Sequence, residues 1–99
     1  MAGAIINSHA QIGENSVINT GSIIEHDCVI GNNTFISPGA ILAGNVIIKN
    51  NSFIGIGSKI IEGKTIGNNV TIGAGAVVID DIPDYCTAVG VPAKVIKKE

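Results

Sequence analysis

The sequence predicts an all-β fold, a triangular solenoid of short parallel strands, and three observations carry that prediction. The first is a period of six. At Ile6, Ile12, Ile18, Ile24, Ile30, Ile36, Leu42, Ile48, Ile54, Ile60, Ile66, Ile72 and Val78 the residue is aliphatic, with no insertion or slip between stations. Six fits neither a helix, at 3.6, nor an isolated alternating strand, at 2. The second is a period of 18. Asn15, Asn33, Asn51 and Asn69 form one column, and Gly21, Gly39, Gly57 and Gly75 form another. Asn and Gly tolerate positive φ, so each 18-residue rung has an Asn-marked and a Gly-marked corner. The third is composition: the 99 residues include 20 Ile, 9 Val and 13 Gly but a single Leu, Leu42. β-branched residues dominate and good helix formers are scarce.

Each hexad then forms one side of a triangle, and three sides make a coil. The first side begins at Ile6, Ile24, Leu42, Ile60 and Val78 in successive coils. The anchors point inward and stack as ladders. Four residues after each anchor stands a mostly small residue: Ala10, Ser16, Ser22, Cys28, Thr34, Ala40, Val46, Ser52, Ser58, Val70, Ala76. Only Lys64 is out of keeping. About four coils at roughly 4.8 Å each give a prism about 19 Å tall. Phe35 and Phe53 lie 18 apart, which stacks them on one face. Regularity ends after Val78, and the segment from Ile79 onward is expected to cover the open end of the solenoid. The whole chain, 1–99, reads as one domain, with hexads over 6–83 and a cap over 84–99.

Composition removes several classes of function. Six basic against eight acidic side chains, net charge −2, exclude an electrostatic nucleic-acid binder. No apolar run approaches the roughly 20 residues that span a bilayer. The start, Met1-Ala2-Gly3-Ala4, has no basic segment of the secretory kind. Cys28 and Cys86 have no metal-ligand spacing and read as reduced thiols of a cytoplasmic protein. The run Gly57-Ser58-Lys59-Ile60-Ile61-Glu62-Gly63-Lys64-Thr65 imitates a phosphate loop, but its glycines are one residue too far apart and no helix follows.

One column departs from packing logic. Ser8, His26, Gly44, Glu62 and Asp80 change identity at every coil. His26 sits between Glu25 and Asp27, either of which is suited to orient an imidazole and stabilise its protonated form. That makes His26 a candidate general base, with a solvated surface histidine as the plain alternative. Gly44 lies one coil further on, about 4.8 Å away in backbone terms. Its N–H suits an oxyanion donor, the alternative being a glycine needed for backbone geometry. His9 shares the column of Asp27 and reads as a surface polar residue or a contact to this corner.

The unbroken hexads resemble the hexapeptide-repeat acyltransferases. Within them, Ile23-Ile24-Glu25-His26-Asp27-Cys28-Val29-Ile30-Gly31 is similar to the Glu-His-acid motif of the sialic-acid O-acetyltransferase and bacillosamine-type amino-sugar N-acetyltransferase branch. The runs Ser37-Pro38-Gly39-Ala40-Ile41-Leu42-Ala43-Gly44-Asn45-Val46 and Gly90-Val91-Pro92-Ala93-Lys94 fit the same branch. The resemblance implies a left-handed parallel β-helix and a homotrimer. It implies acetyl-CoA as acyl donor, a sugar or nucleotide-sugar acceptor, and direct attack of the acceptor assisted by a histidine base. The catalytic set it implies is His26, Asp27, Glu25 and Gly44. The cofactor contacts it implies fall near Phe35, Ile56, Ala74 and Lys94, the last toward coenzyme A phosphates. Phe35 stands where relatives often carry histidine. No metal is expected: β-helix carbonic anhydrases need three histidines, and the chain has His9 and His26. The alternative is a non-catalytic trimeric scaffold, or an isolated domain that needs a separate acceptor-binding domain. An ice-binding solenoid would need a regular threonine ladder, which the sequence lacks.

Overall fold

A computed structural model describes residues 3–99. Met1 and Ala2, part of the start read above as lacking leader character, lie outside the described residues. Fifteen strands, β1 to β15 in chain order, form three sheets among the described residues. The first sheet stacks β1 (Ile5–Ile6), β4 (Ile23–Ile24), β7 (Ile41–Leu42), β10 (Lys59–Ile60) and β13 (Val77–Val78). The second stacks β2 (Gln11–Ile12), β5 (Val29–Ile30), β8 (Ile47–Ile48) and β11 (Thr65–Ile66). The third runs β3 (Val17–Ile18), β6 (Phe35–Ile36), β9 (Phe53–Ile54), β12 (Thr71–Ile72), β14 (Cys86–Val89) and β15 (Lys94–Lys98). All pairs are parallel except β14 with β15. Hexad strands pair 18 residues apart, as Ile6 with Ile24 and Ile24 with Leu42. The architecture is the parallel β-helix that the hexads predict.

The coil count is higher than the four expected. Four full coils end at β12, and a fifth is completed by the tail: β13, then Ile82 bridged to Ile66, then β14 on β12. The spacing shortens from 18 to 16 there, since Thr71 pairs with Thr87. The chain then turns back as β15, antiparallel to β14. Ile82, Cys86, Ala88 and Ala93 are buried in this last layer. The tail thus extends the core before it folds back, which the hexad count alone does not reveal.

Ten anchors from Ile24 to Val78 are at most 2% exposed. Burying each contributes about 1.5–3 kcal/mol relative to leaving it exposed. The small-residue column closes the corners from inside. Thr34 Oγ1 donates to Lys49 O at 2.7 Å and Ser52 Oγ to Gly67 O at 2.8 Å. The same hydroxyls accept from the N–H groups of Ser52 and Val70, at 3.3 and 3.0 Å, so both are satisfied as donor and acceptor, whereas the buried Ser37 Oγ has no partner among the described residues. On the outer face of the third sheet, Phe35 and Phe53 stack with centroids 5.3 Å apart and planes 3° apart.

The two columns read as corners have positive φ, between 55° and 61° at Asn15, Asn33, Asn51 and Asn69. The Gly column from Gly21 to Gly75 lies between 67° and 73°. A third corner does the same with mixed residues: His9 63°, Asp27 60°, Asn45 61° and Gly63 76°. A further ladder runs beside the Asn corner. Asn32, Asn50, Asn68 and Asp84 each accept, through a side-chain oxygen, from the N–H of Glu14, Asn32, Asn50 and Asn68, at 2.8 to 2.9 Å.

Candidate active site

The mixed third corner joins the first sheet to the second, and it holds His26. Glu25 ends the β4 side: its N–H donates to Leu42 O at 3.0 Å. The chain then turns through His26 and Asp27 and enters β5. Asp27 N–H donates to Ser8 O at 3.1 Å, and His26 O accepts from Asn45 N–H at 3.0 Å. The turn is therefore pinned to the coil on either side. Asp27 occupies the left-handed region, where Asp, Asn and Gly are the residues tolerated. Replacing Asp27 with Ala is expected to cost about 1–2 kcal/mol of stability, against under about 0.5 for Asn or Gly. Urea unfolding at fixed protein concentration measures this, and equal costs for Ala and Asn would remove backbone strain as the reason.

The conformation of Asp27 brings its carboxylate to the imidazole. His26 Nδ1 and Asp27 Oδ2 are 3.1 Å apart, with both side chains about half exposed (52% and 51%). A carboxylate accepting Nδ1–H selects the tautomer whose Nε2 carries the lone pair. Nε2 lies over Gly44 in the next coil. A Cβ built on Gly44 would stand 2.5 Å from Nε2 and 2.6 Å from Cε1, so the ring occupies the space a side chain would take. Gly44 is itself buried. Its N–H has no partner among the described residues, whereas Ala43 and Asn45 on either side both donate at 3.0 Å.

Glu25 is held differently from Asp27. Its Oε1 accepts from Asn7 Nδ2 at 3.0 Å, so it is tied to the preceding coil and not to the imidazole. Cys28, just beyond, is fully buried and its Sγ donates to Ala43 O at 3.1 Å. Burial pushes the thiol up from its ordinary value, a hydrogen bond from the Val46 backbone opposing this in part. It stays a neutral thiol, unsuited to nucleophilic attack. Cys86 is also buried and free. No group of three or more potential metal ligands occurs among the described residues.

The residues expected to meet the cofactor lie elsewhere. Ile56, 61% exposed, and Ala74, one coil on, sit at the corner joining the third sheet to the first. That is the far edge of the first sheet from His26, about six residues of chain or roughly 15–20 Å away. Phe35 lies on the outer face of the third sheet, and Lys94 opens β15 in the same sheet. One chain therefore does not bring the His26 corner and the Ile56–Ala74 edge together. No cavity closes over either among the described residues. Two features of the site escape a reading of neighbours along the chain: the Asn7 contact and the seating of the ring on Gly44. The 18-residue step finds both, since Asn7 precedes Glu25 and Gly44 follows His26 by 18.

A family profile described as bacterial transferase hexapeptide (six repeats) matches residues 9–44, 27–61 and 45–80. Three solved structures are similar to the chain. A variant of the GDP-perosamine N-acetyltransferase of Caulobacter crescentus, in complex with CoA and GDP-perosamine, is 41% identical over 99% of this chain, with a TM-score of 0.96. The acetyltransferase domain of PglB from Neisseria gonorrhoeae, in complex with acetyl coenzyme A, is 41% identical over 97%, also at 0.96. The serine acetyltransferase of Neisseria gonorrhoeae is 34% identical over 97%, at 0.92. The chain spans 47%, 47% and 41% of these three, about half of their length. No curated protein sequence matches.

Proposed function

The chain belongs to the bacterial transferase hexapeptide family, and from that premise we propose that it is an acetyl-CoA-dependent acetyltransferase acting on the amine or hydroxyl of a sugar or nucleotide sugar. The observation that carries the reading is the His26 corner: an imidazole with Nδ1 committed to Asp27 and Nε2 seated over Gly44. Acyl transfer needs a base for the acceptor proton and a donor for the oxyanion that forms at the thioester carbonyl. The acceptor N–H or O–H gives its proton to Nε2 as its nitrogen or oxygen attacks the carbonyl carbon. The carbon–sulfur bond then breaks, and the imidazolium returns the proton to the leaving thiolate. Asp27 stabilises the imidazolium between the two transfers. Gly44 N–H, free of the coil-to-coil ladder, is the donor assigned to the oxyanion. Cys28 is too buried to form an acyl-enzyme, which favours direct attack.

Ile56 and Ala74 offer an exposed edge for the pantetheine arm, and Lys94 a point charge for the phosphates. Because that edge and His26 lie on opposite sides of the first sheet, we assign the complete site to a groove between copies of a homotrimer. The comparisons support the chemistry: the PglB domain is bound to acetyl-CoA, and the perosamine enzyme to CoA and a nucleotide sugar. We place the protein in the cytoplasm, where acetyl-CoA is available and Cys28 and Cys86 stay reduced. A second reading, a β-helix that holds the cofactor but needs a separate acceptor-binding unit, is favoured by the greater length of the matched structures.

Calorimetric titration with acetyl-CoA, with the oligomeric mass measured alongside, tests the reading. The expected result is about one cofactor per chain in a trimer, followed by thiol release with amino sugars or their nucleotide forms. A folded trimer that binds no acetyl-CoA overturns it. Binding without turnover, relieved by an added acceptor-binding protein, selects the second reading.

A further inference from the structure

His26 is flanked in sequence by two carboxylates, yet only Asp27 pairs with it. Consecutive Cα atoms are about 3.8 Å apart, so a free Glu25 side chain sweeps within ion-pair range of the ring. It is not free. Asn7 Nδ2, from the equivalent position one coil earlier, holds Oε1 at 3.0 Å. The two restraints point opposite ways along the solenoid: Glu25 is drawn toward the first coil, and His26 Nε2 faces Gly44 in the third. We propose that Asn7 is a positioning residue, one that keeps Glu25 off the imidazole so that Asp27 alone pairs with the ring and Nε2 stays open to the acceptor. The proposal rests on the reading of His26 as the base.

The logic is electrostatic. A second carboxylate near the ring stabilises the imidazolium and withdraws the free base at a given pH. The other groups around the ring are few. The first coil presents Ser8 and His9 beside Asn7; the third presents Ala43, Gly44 and Asn45, none of them charged; Glu62 and Asp80 lie two and three coils beyond His26 in its own column. Of these, Glu25 is the carboxylate whose distance from the ring Asn7 controls. Asn7 lies on the surface of the first coil, so losing its exposed hydrogen bond barely alters stability.

The test compares the parent chain with Asn7→Ala, Asn7→Ser, Glu25→Gln and the double variant Asn7→Ala/Glu25→Gln. In both Asn7 variants the acid limb of the kcat/KM profile moves up by roughly 0.3–1 pH unit. Activity then falls about 2- to 10-fold at pH 6 and stays within 2-fold at pH 8.5. NMR titration of the His26 ring protons, without substrates, shows the same upward displacement. Removing the charge abolishes it, so the double variant titrates as Glu25→Gln does. Superimposable profiles for Asn7→Ala and the parent overturn the proposal, as does a displacement that persists in the double variant. The NMR arm needs no turnover, so it separates failure of this proposal from failure of the acetyltransferase reading. Two Asn7 variants of different size guard against one that folds poorly.

Discussion

Replacing Gly44 with alanine is expected to lower acetyl transfer by about a thousandfold or more, while the protein still folds and binds acetyl-CoA. The reason is steric and local. The new Cβ would stand 2.5 Å from His26 Nε2 and 2.6 Å from Cε1, closer than real Cβ contacts come, so the half-exposed ring must shift from its place over residue 44. Gly44 is not among the residues with positive φ, so alanine brings no backbone strain of its own. Loss of a positioned base costs 10²- to 10⁴-fold, roughly, and misplacing the reacting groups by about 1 Å adds up to 10²-fold. His26→Ala is expected to fall to a similar floor. The informative comparison is the double variant: if Gly44→Ala acts by evicting His26, adding it to His26→Ala costs little more. A Gly44→Ala protein with parental turnover would remove His26 as the base. A double variant much slower than either single one would instead assign Gly44 a contribution separate from the ring.

The fold was legible because β-helix packing repeats in phase with the sequence. Thirteen aliphatic stations predict the buried ladders, and the interior ones from Ile24 onward are all buried. The Asn and Gly columns predict left-handed corners, and every one has positive φ. The third corner was hidden because His9, Asp27, Asn45 and Gly63 share a conformation and not a residue type. Asp27 was singled out for its charge, yet its place beside His26 also depends on its tolerance of positive φ. The fifth coil was hidden because the spacing drops to 16 across Ile82 and Thr87, where a hexad count stops. The ladder of Asn32, Asn50, Asn68 and Asp84 is one residue out of phase with the Asn column, which masks it in the sequence. Lys64, the odd member of the small-residue column, is half-buried where its equivalents are mostly buried. For the site, adjacency along the chain treats Glu25 and Asp27 alike. The contact of Asn7 with Glu25 and that of His26 Nδ1 with Asp27 separate their roles.

Ile48→Ala is expected to cost about 3–5 kcal/mol of stability, whereas the same change at Ile6 costs about 1 kcal/mol. Both are hexad anchors, 42 residues apart in one series. Ile48 is fully buried and registered between Ile30 below and Ile66 above, so its loss leaves a cavity touching two neighbouring rungs. A solenoid is stabilised chiefly by such contacts between adjacent coils, so damage in the middle weakens two interfaces at once. Ile6 belongs to the first described coil and is 49% exposed, so less contact is there to lose. Urea unfolding at one fixed protein concentration compares the two, since oligomerisation makes stability depend on concentration. A small cost at Ile48 would contradict a continuous interior ladder. A cost at Ile6 as large as at Ile48 would mean that the first coil is covered in solution. That contact would then have to bury Ile5 and Ile6 together, because both are about half exposed on β1.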